Sequence, residues 1–537
     1  MKRDDAMMLE PLSADELAQA AEGARRAASV ILLRDGAQGL EVLLLRRAER
    51  EGDQRSGIWV FPGGVLEDGD APDVPSPADA ALSARMGLPA GAWAYVNAAV
   101  RECAEEVAVS LDASALHYFA HWLTPHGIPK RFDTRFFLAR MPADQVPRAD
   151  LGEVTEWAWL SPTQALAPET QLKLLPVTRR LLRTLAGWAC VADGLRWAEA
   201  QPAPVCHMPR LGRDARGVRP VLPEEPAWAE IGRLDPTGQG HVHADLQPLR
   251  IVRLAPCLRR VTCANGSVMT GPGTNTYVLG GPGQPAVVID PGPDDAHTAA
   301  HLDAVLAAVD SLGATGVGHI LVTHTHRDHS PAAQALKART GARCVGRAAG
   351  HPQGQDMAFQ PDVAVQDGDR FTPAPGCTLR ALHTPGHASN HVCWLWEEDG
   401  LLFTGDHIMQ SSTVIINPPD GDMGQYFTSL ERLLDEPLTG LAPGHGFLMA
   451  HPHSEVRRIL AHRLQREARV LAAITAHGRA TVEALVPDVY GDVPPARHGL
   501  AARSLTAHLL KLAAQGQAYF DGDTWCRSAD VQVRLAK

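Results

Sequence analysis

The sequence predicts a multidomain α/β protein, and three observations carry that prediction. Short apolar runs ending in Gly, Asp or His, such as AVVIDPG, HILVTH and LLFTGD, alternate with helix-like stretches. A Pro- and Arg-rich interval, QPAPVCHMPRLGRDARGVRPVLPEEPAW, breaks the alternation. The 537 residues are several times a typical domain of roughly 100–200 residues. The expected regions are 1–200, a linker at 201–250, a second α/β region at 251–450, and a helical region at 451–537.

Composition narrows the class. With 45% hydrophobic and 21% charged residues the chain can bury a core, which excludes wholesale disorder. No apolar run approaches the ~18–20 residues of a membrane span. The start, MKRDDAMMLEPLSADELAQA, reads as frayed and lacks an apolar core followed by a small-residue cleavage site. A soluble, cytoplasmic protein without a membrane partner is expected. The nine cysteines are odd in number and include no CxxC pair. This argues against a disulfide framework or a Cys-ligated zinc, and most are expected to be small core residues. The net charge of −11 argues against nucleic-acid binding by bulk charge. Only 451–537 is mildly basic, with 12 Lys/Arg against 8 Asp/Glu.

In 1–200, strand-like runs at 28–33, 41–45 and 132–139 alternate with helical ones. FPGG at 61–64 ends an apolar run, and RECAEEVAV follows at 101–109. On a helix Glu102 and Glu106 share a face, as do Arg101 and Glu105. Two such carboxylates repel unless a cation such as Mg2+ or Mn2+ lies between them. Taken alone, the run reads as a solvated acidic face. Together with FPGG it resembles the Nudix box, with departures. Asp70 stands where the box has Glu, 23 extra residues separate Asp70 from Arg101, and Ala108 replaces Gly. An interrupted box of this kind resembles the peroxisomal-type coenzyme A diphosphatases of the Nudix family. The segments HWLTPHGIPKRFDTRFFLARMP (121–142) and EWAWLSPTQAL (156–166) resemble that branch too. The resemblance implies an α/β/α Nudix fold that cleaves a nucleoside diphosphate derivative such as CoA. Glu102 and Glu106 would hold Mg2+ or Mn2+, and Glu105 would act as a catalytic carboxylate. A degenerate, ligand-sensing Nudix domain is the alternative.

The strongest signal is HTHRDH at 324–329, directly after the apolar run 319–323. His324, His326, Asp328 and His329 place four zinc-type donors in six residues. An HxH pair on extended chain puts both rings on one side, leaving Asp328 and His329 for a second ion. Ser330 suits the cap of a following helix, and Pro331 its first position. Downstream, His387 (HTPGHASNH), Asp406 (LLFTGD) and His445 (LAPGHG) each follow an apolar run and adjoin Gly.

This set resembles the metallo-β-lactamase fold superfamily over roughly 251–450. The resemblance implies an αβ/βα sandwich with the metal site at one edge of two packed sheets. His324, His326 and His387 would hold one ion, Asp328, His329 and His445 the second, and Asp406 would bridge them. Asp290 would support the site from behind, and Asp328 is the expected catalytic carboxylate of this half. Two Zn2+, or Mn2+ or Fe, would acidify a water for attack on a phosphodiester or a thioester. His383, His391 and His407 lie near these residues and are expected to be structural or exposed, with support of the ligands or contact with substrate as the alternative. MTGPGTNTY at 269–277, with the basic helical tail, resembles the metallo-β-lactamase-like endoribonuclease group. That group carries a small winged-helix-like α+β domain, and the implied substrate is single-stranded RNA. Glyoxalase II-like thioester or lactone hydrolysis shares the metal motif and competes. The chain is thus expected to be a two-headed metal-dependent hydrolase acting on a small phosphate or thioester substrate, or on RNA.

Overall fold

The computed structural model describes residues 14–49, 56–72, 76–150, 152–201, 203–410 and 412–528. The start expected to be frayed lies outside the described residues, apart from the helix Ala14–Ala21. The chain divides into two compact units, 1–244 and 245–537. Among the described residues no helix is long and apolar enough to cross a membrane.

The first unit is an α/β/α sandwich around an eight-stranded sheet. The strand Arg25–Gly36 lies inside that sheet, antiparallel to Gly39–Arg47 and parallel to Phe132–Arg140. Its side chains alternate between two cores, as a period of two requires. Ala28, Val30 and Leu32 pack with Tyr95, Ala99 and Cys103 of the helix Ala92–Val107. Ile31 and Leu33 face Leu181, Leu182 and Leu185 of the helix Pro176–Leu185.

The segment 201–250 departs from the linker expected of it. Cys206–His207 adds to the large sheet beside His117–Leu123, and His207 stacks on Trp122. A hairpin of Arg210–Asp214 with Gly217–Val221 follows, then the helix Trp228–Leu234. Two of the arginines that gave the segment a linker composition, Arg210 and Arg219, are bonded within it. Arg210 lies 3.6 Å over the Trp228 ring, and Arg219 pairs with Asp214 and Glu225.

The second unit holds a seven-stranded and a five-stranded sheet, each with its strands in sequence order. Helices Thr298–Asp310 and Ala332–Thr340 pack on the first. Met423–Leu433 packs on the second. The sheets meet face to face through Tyr277 against Phe403 and His319 against Phe371, giving the expected αβ/βα sandwich. The helix starting at Ala332 is preceded by Pro331, one residue later than expected, because the Ser330 hydroxyl bonds Asp356 instead of capping.

The tail is a winged-helix fold. Three helices, Pro452–His477, Val482–Val489 and His498–Ala514, pack with a small sheet that ends in the hairpin Ala518–Phe520 and Trp525–Arg527. The long helix belongs to two cores. Val456 and Ile459 pack with the sandwich, while Val470 and Ile474 pack in the tail.

His301 is buried in the first layer, with Nε2 2.8 Å from the Thr276 hydroxyl and 3.3 Å from the Cys263 thiol. Burial pushes its pKa down to about 4, against the weaker pull of Asp295. The fold therefore favours the neutral ring. Its contribution is complete above the ordinary value near 6.5 and is lost as pH falls toward 4. Thermal midpoints of the second unit should fall through that window, and His301→Gln should shallow the decline by about one proton's worth.

Candidate metal centre

The strand Val317–Leu321 runs parallel to both neighbours, so its C-terminal end delivers residues 322–329 to the edge of the sandwich. Asp290 fixes that loop. Its carboxylate accepts the Thr323 backbone N–H (2.8 Å) and hydroxyl (2.7 Å), and lies 2.9 Å from His329 Nδ1. Asp290 adopts φ +50°, a left-handed conformation that Asp tolerates better than most residues. It lies behind His329, outside the two donor groups.

The first donor group is His324, His326 and His387. His326 Nδ1 stands 2.8 Å from His324 Nε2 and 3.0 Å from His387 Nε2. The other nitrogens of His324 and His387 are engaged elsewhere. His324 Nδ1 donates to the Thr323 hydroxyl, whose proton is committed to Asp290, and His387 Nδ1 donates to the Ile415 carbonyl. Three ring nitrogens therefore face one point, with lone pairs fixed on Nε2 of His324 and of His387. Burial drives all three rings toward the neutral form, His324 well below its ordinary pKa and His326 to about 3.

The second group is Asp328, His329, Asp406 and His445. His445 Nε2 is 3.3 Å from both Asp328 Oδ2 and Asp406 Oδ1, and His329 Nε2 is 3.4 Å from Asp406 Oδ1. His445 Nδ1 donates to the Gly273 carbonyl, so Nε2 is again the free atom. The two oxygens of Asp406 divide between the groups, since Oδ2 faces His387 Nε2 at 3.8 Å. His329 Nε2, His445 Nε2 and Asp406 Oδ1 are buried without a hydrogen bond. Burial opposes charge here, yet Asp328, Asp406 and Asp290 raise His329 well above its ordinary pKa, and Asp406 and Asp328 carry His445 to about 9. The carboxylates demand positive charge at this point. Divalent cations satisfy the donors of both groups, so the residues present fit the two ions.

Surrounding bonds hold the loops in place. Gln355 and Ser389 both donate to Asp420, at 2.8 and 2.6 Å, while Thr325 donates to Gln355 and Asn390 to Thr325. Asp420 thereby ties the 324–326 loop to the 387–390 loop. The TNTY motif clamps the His445 loop. Asn275 Nδ2 donates to the Gly446 carbonyl at 2.8 Å and the Tyr277 hydroxyl to that of Pro443 at 2.8 Å. His391 and His407 are fully buried behind the centre, and His383 is half-buried against the Ser389 carbonyl. Nothing in the spacing of Gln355, Ser389 and Asp420 marks their role, because it exists only once three loops meet.

In the first unit the interrupted box closes in space. Arg101 grips Asp70 through two bonds of 3.0 Å and also reaches the Val65 carbonyl. The inserted residues, including the helix Pro77–Met86, are looped out between them. Gly63 N–H donates to Glu106 at 2.9 Å, and a Cβ on Gly64 would strike the Glu102 carboxylate. The glycines are what let both carboxylates approach the backbone. Burial raises Glu102 and carries Glu106 to about 7, with Glu102 and Glu153 adding repulsion at Glu106. Glu153, which the box pattern does not contain, thus acts on Glu106 through its charge. Glu105 is mostly exposed and pairs with Arg101 at 3.1 Å, turned to the cation rather than to Gly63.

Comparison with known proteins agrees with this geometry. Residues 269–453 match the family model of the metallo-beta-lactamase superfamily, 83–201 the NUDIX domain, and 481–525 the beta-lactamase associated winged helix domain. An atrochrysone carboxyl ACP thioesterase from Claviceps purpurea is 30% identical over 285 residues, covering 50% of this chain and 84% of that protein. A beta-lactamase-like protein 2 homolog from Drosophila melanogaster is 31% identical over 281 residues, covering 50% and 91%. A solved beta-lactamase domain protein from Burkholderia ambifaria is 21% identical over 53% of this chain and 96% of its own, with a TM-score of 0.47. The chain belongs to the metallo-beta-lactamase superfamily. It is a metal-dependent hydrolase in which that domain lies between a NUDIX domain and a winged helix.

Asp420→Asn should lower metal affinity at the 324–326–387 group by about 10-fold. Competition with a chromogenic chelator measures this, and an unchanged unfolding midpoint would separate it from general destabilisation.

Proposed function

We propose that the metallo-beta-lactamase half hydrolyses an acyl thioester, and that the Nudix half cleaves the diphosphate of a CoA-type nucleotide. One observation carries the first reading. Two loops that flank the donor groups end in exposed apolar side chains. Val268 (79% exposed) and Met269 (52%) tip the loop that bonds His445, and Met357 (50%) tips the loop bridged to His326 through Gln355. Such an uncharged rim suits an acyl chain better than a polyanion. The relative named as an ACP thioesterase supports the same reaction class.

The RNA reading finds less support in the tail. Among the described residues several of its cations are committed: Arg466 and Arg469 to Asp492, Arg458 to Glu455, Lys511 to Glu467, and Arg479 to Asp521. Arg463 is buried against the Val414 carbonyl. A phosphate track needs free, clustered cations.

In the proposed reaction, His324, His326 and His387 would hold one ion, Asp328, His329 and His445 the other, and Asp406 both. When bound, the ions supply an acidified water and positive charge for the developing oxyanion. Zinc suits the imidazole-rich donors, and Mg2+ or Mn2+ the carboxylates Glu102 and Glu106. Asp328, whose side chain is partly exposed, would take the attacking water's proton and pass it to the sulfur that leaves as a thiol when the C–S bond breaks. The apolar rim orients the acyl chain and keeps bulk water from it. In the Nudix half, Arg101 braced by Asp70 fixes the helix that presents Glu102 and Glu106. An acyl-CoA carries both scissile groups, a thioester and a diphosphate, so one substrate class serves both halves.

His326→Ala should lower thiol release from a medium-chain acyl-CoA by about 10²–10³-fold, read with a thiol reagent, while diphosphate cleavage persists. Cleavage of a short single-stranded RNA by the parent protein, without thiol release, would replace the thioester reading. Glu106→Gln should cut diphosphate cleavage of CoA by about 10²-fold or more and leave thioester hydrolysis intact. Equal diphosphate cleavage in parent and variant, or none in the parent, would favour a ligand-sensing Nudix domain.

A further inference from the structure

Two thiols meet at the end of the sandwich remote from the metal donors. Cys257 lies in the turn joining Ile251–Ala255 to Leu258–Thr262, where Ala255 pairs with Leu258. Cys377 ends the turn after Arg370–Ala374, where it pairs with Ala374. The two hairpins belong to different sheets. A third turn draws them together. Gly280 N–H donates to the Cys257 carbonyl at 3.0 Å, and Gly281 abuts Ala374 so closely that an added Cβ would lie 3.1 Å from the Ala374 Cβ. That approach sets the Cys257 and Cys377 side chains near enough to act on each other's charge. Cys257 is half-exposed and Cys377 fully buried.

We propose that Cys257 and Cys377 form a reversible disulfide that staples the two sheets together, with a small-molecule disulfide as oxidant. The half-exposed Cys257 thiolate attacks one sulfur of the oxidant, forming a mixed disulfide and expelling one thiolate. The Cys377 thiol then gives up its proton and attacks the Cys257 sulfur, expelling the second thiolate. Two electrons pass from the cysteine pair to the oxidant, which leaves as two thiols. The pairing of an accessible thiol with a buried resolving thiol is the arrangement such exchange requires.

The other cysteines make the site selective. The neighbouring Cys377 holds Cys257 down at about 7 despite burial, whereas burial pushes Cys103, Cys206 and Cys393 up to about 12. The staple also leaves the hydrolytic centre untouched. From the two thiols, the strands Leu258–Thr262 and Cys377–His383 run toward the loops that carry Gly273 and His387, so the cross-link closes the far end.

The test is redox titration of the full-length protein with glutathione and its disulfide, followed by non-reducing peptide mapping. Expected is a loss of two of the nine thiols, a mass decrease of about 2 Da, and one cross-linked peptide joining Cys257 to Cys377. Cys377→Ser should accumulate the mixed disulfide on Cys257, and Cys257→Ser should lose no thiol pair. The oxidised protein should melt higher than the reduced one and keep its hydrolytic turnover. Nine thiols persisting in excess oxidant, or a cross-link between any other pair, would overturn the proposal. Both readouts are independent of whether the substrate is a thioester.

Discussion

The second unit is organised around one electrostatic requirement. Seven imidazole and carboxylate side chains converge at the edge of two sheets, and several of their free atoms are buried without hydrogen bonds. Buried polar atoms of this kind cost several kcal/mol each when left unmatched. Divalent charge between the two groups offsets that cost, and the rest of the edge is arranged to keep the donors aimed. Asp290 serves this end twice, fixing the Thr323 backbone and turning His329 so that Nε2 faces inward. The protein commits its second layer of hydrogen bonds to orientation, and orientation in turn sets affinity for the ions.

Much of this centre was legible in the sequence because its parts are local. HTHRDH is one strand end, and each of His387, Asp406 and His445 follows an apolar run beside a glycine. Strand alternation and a Gly-bearing turn are enough to predict where such side chains point. The supporting network was not legible. Gln355, Ser389 and Asp420 sit in separate loops with no periodicity, and their bonds arise only from tertiary approach. The same holds for Glu153 near the Nudix carboxylates. The segment 201–250 misled for a related reason. Pro and Arg weaken any periodic pattern, yet Arg210 on Trp228 and Arg219 between Asp214 and Glu225 make those arginines internal ties.

The interrupted Nudix box shows how spacing and function can part. A motif defined by residue counts fails across the insertion, but the Asp70–Arg101 contact it exists to make is kept in full. What matters at that site is the approach of Glu102 and Glu106 to a glycine backbone, which an excursion between Asp70 and the helix Ala92–Val107 leaves intact. The two candidate sites also differ in the side chains they offer. The first unit presents the carboxylates Glu102 and Glu106, and the second mostly imidazoles.

The helix Pro452–His477 links the sandwich and the tail without an intervening loop, with Ile459 in one core and Ile474 in the other. Removing the tail at its apparent start would strip Val456 and Ile459 from the enzyme's own interior. That helix is therefore a wall of the sandwich as much as a stem for the winged helix matched at 481–525. A cut before it would open the apolar faces of Met423 and Leu430 to water, whereas a cut after it would keep that wall.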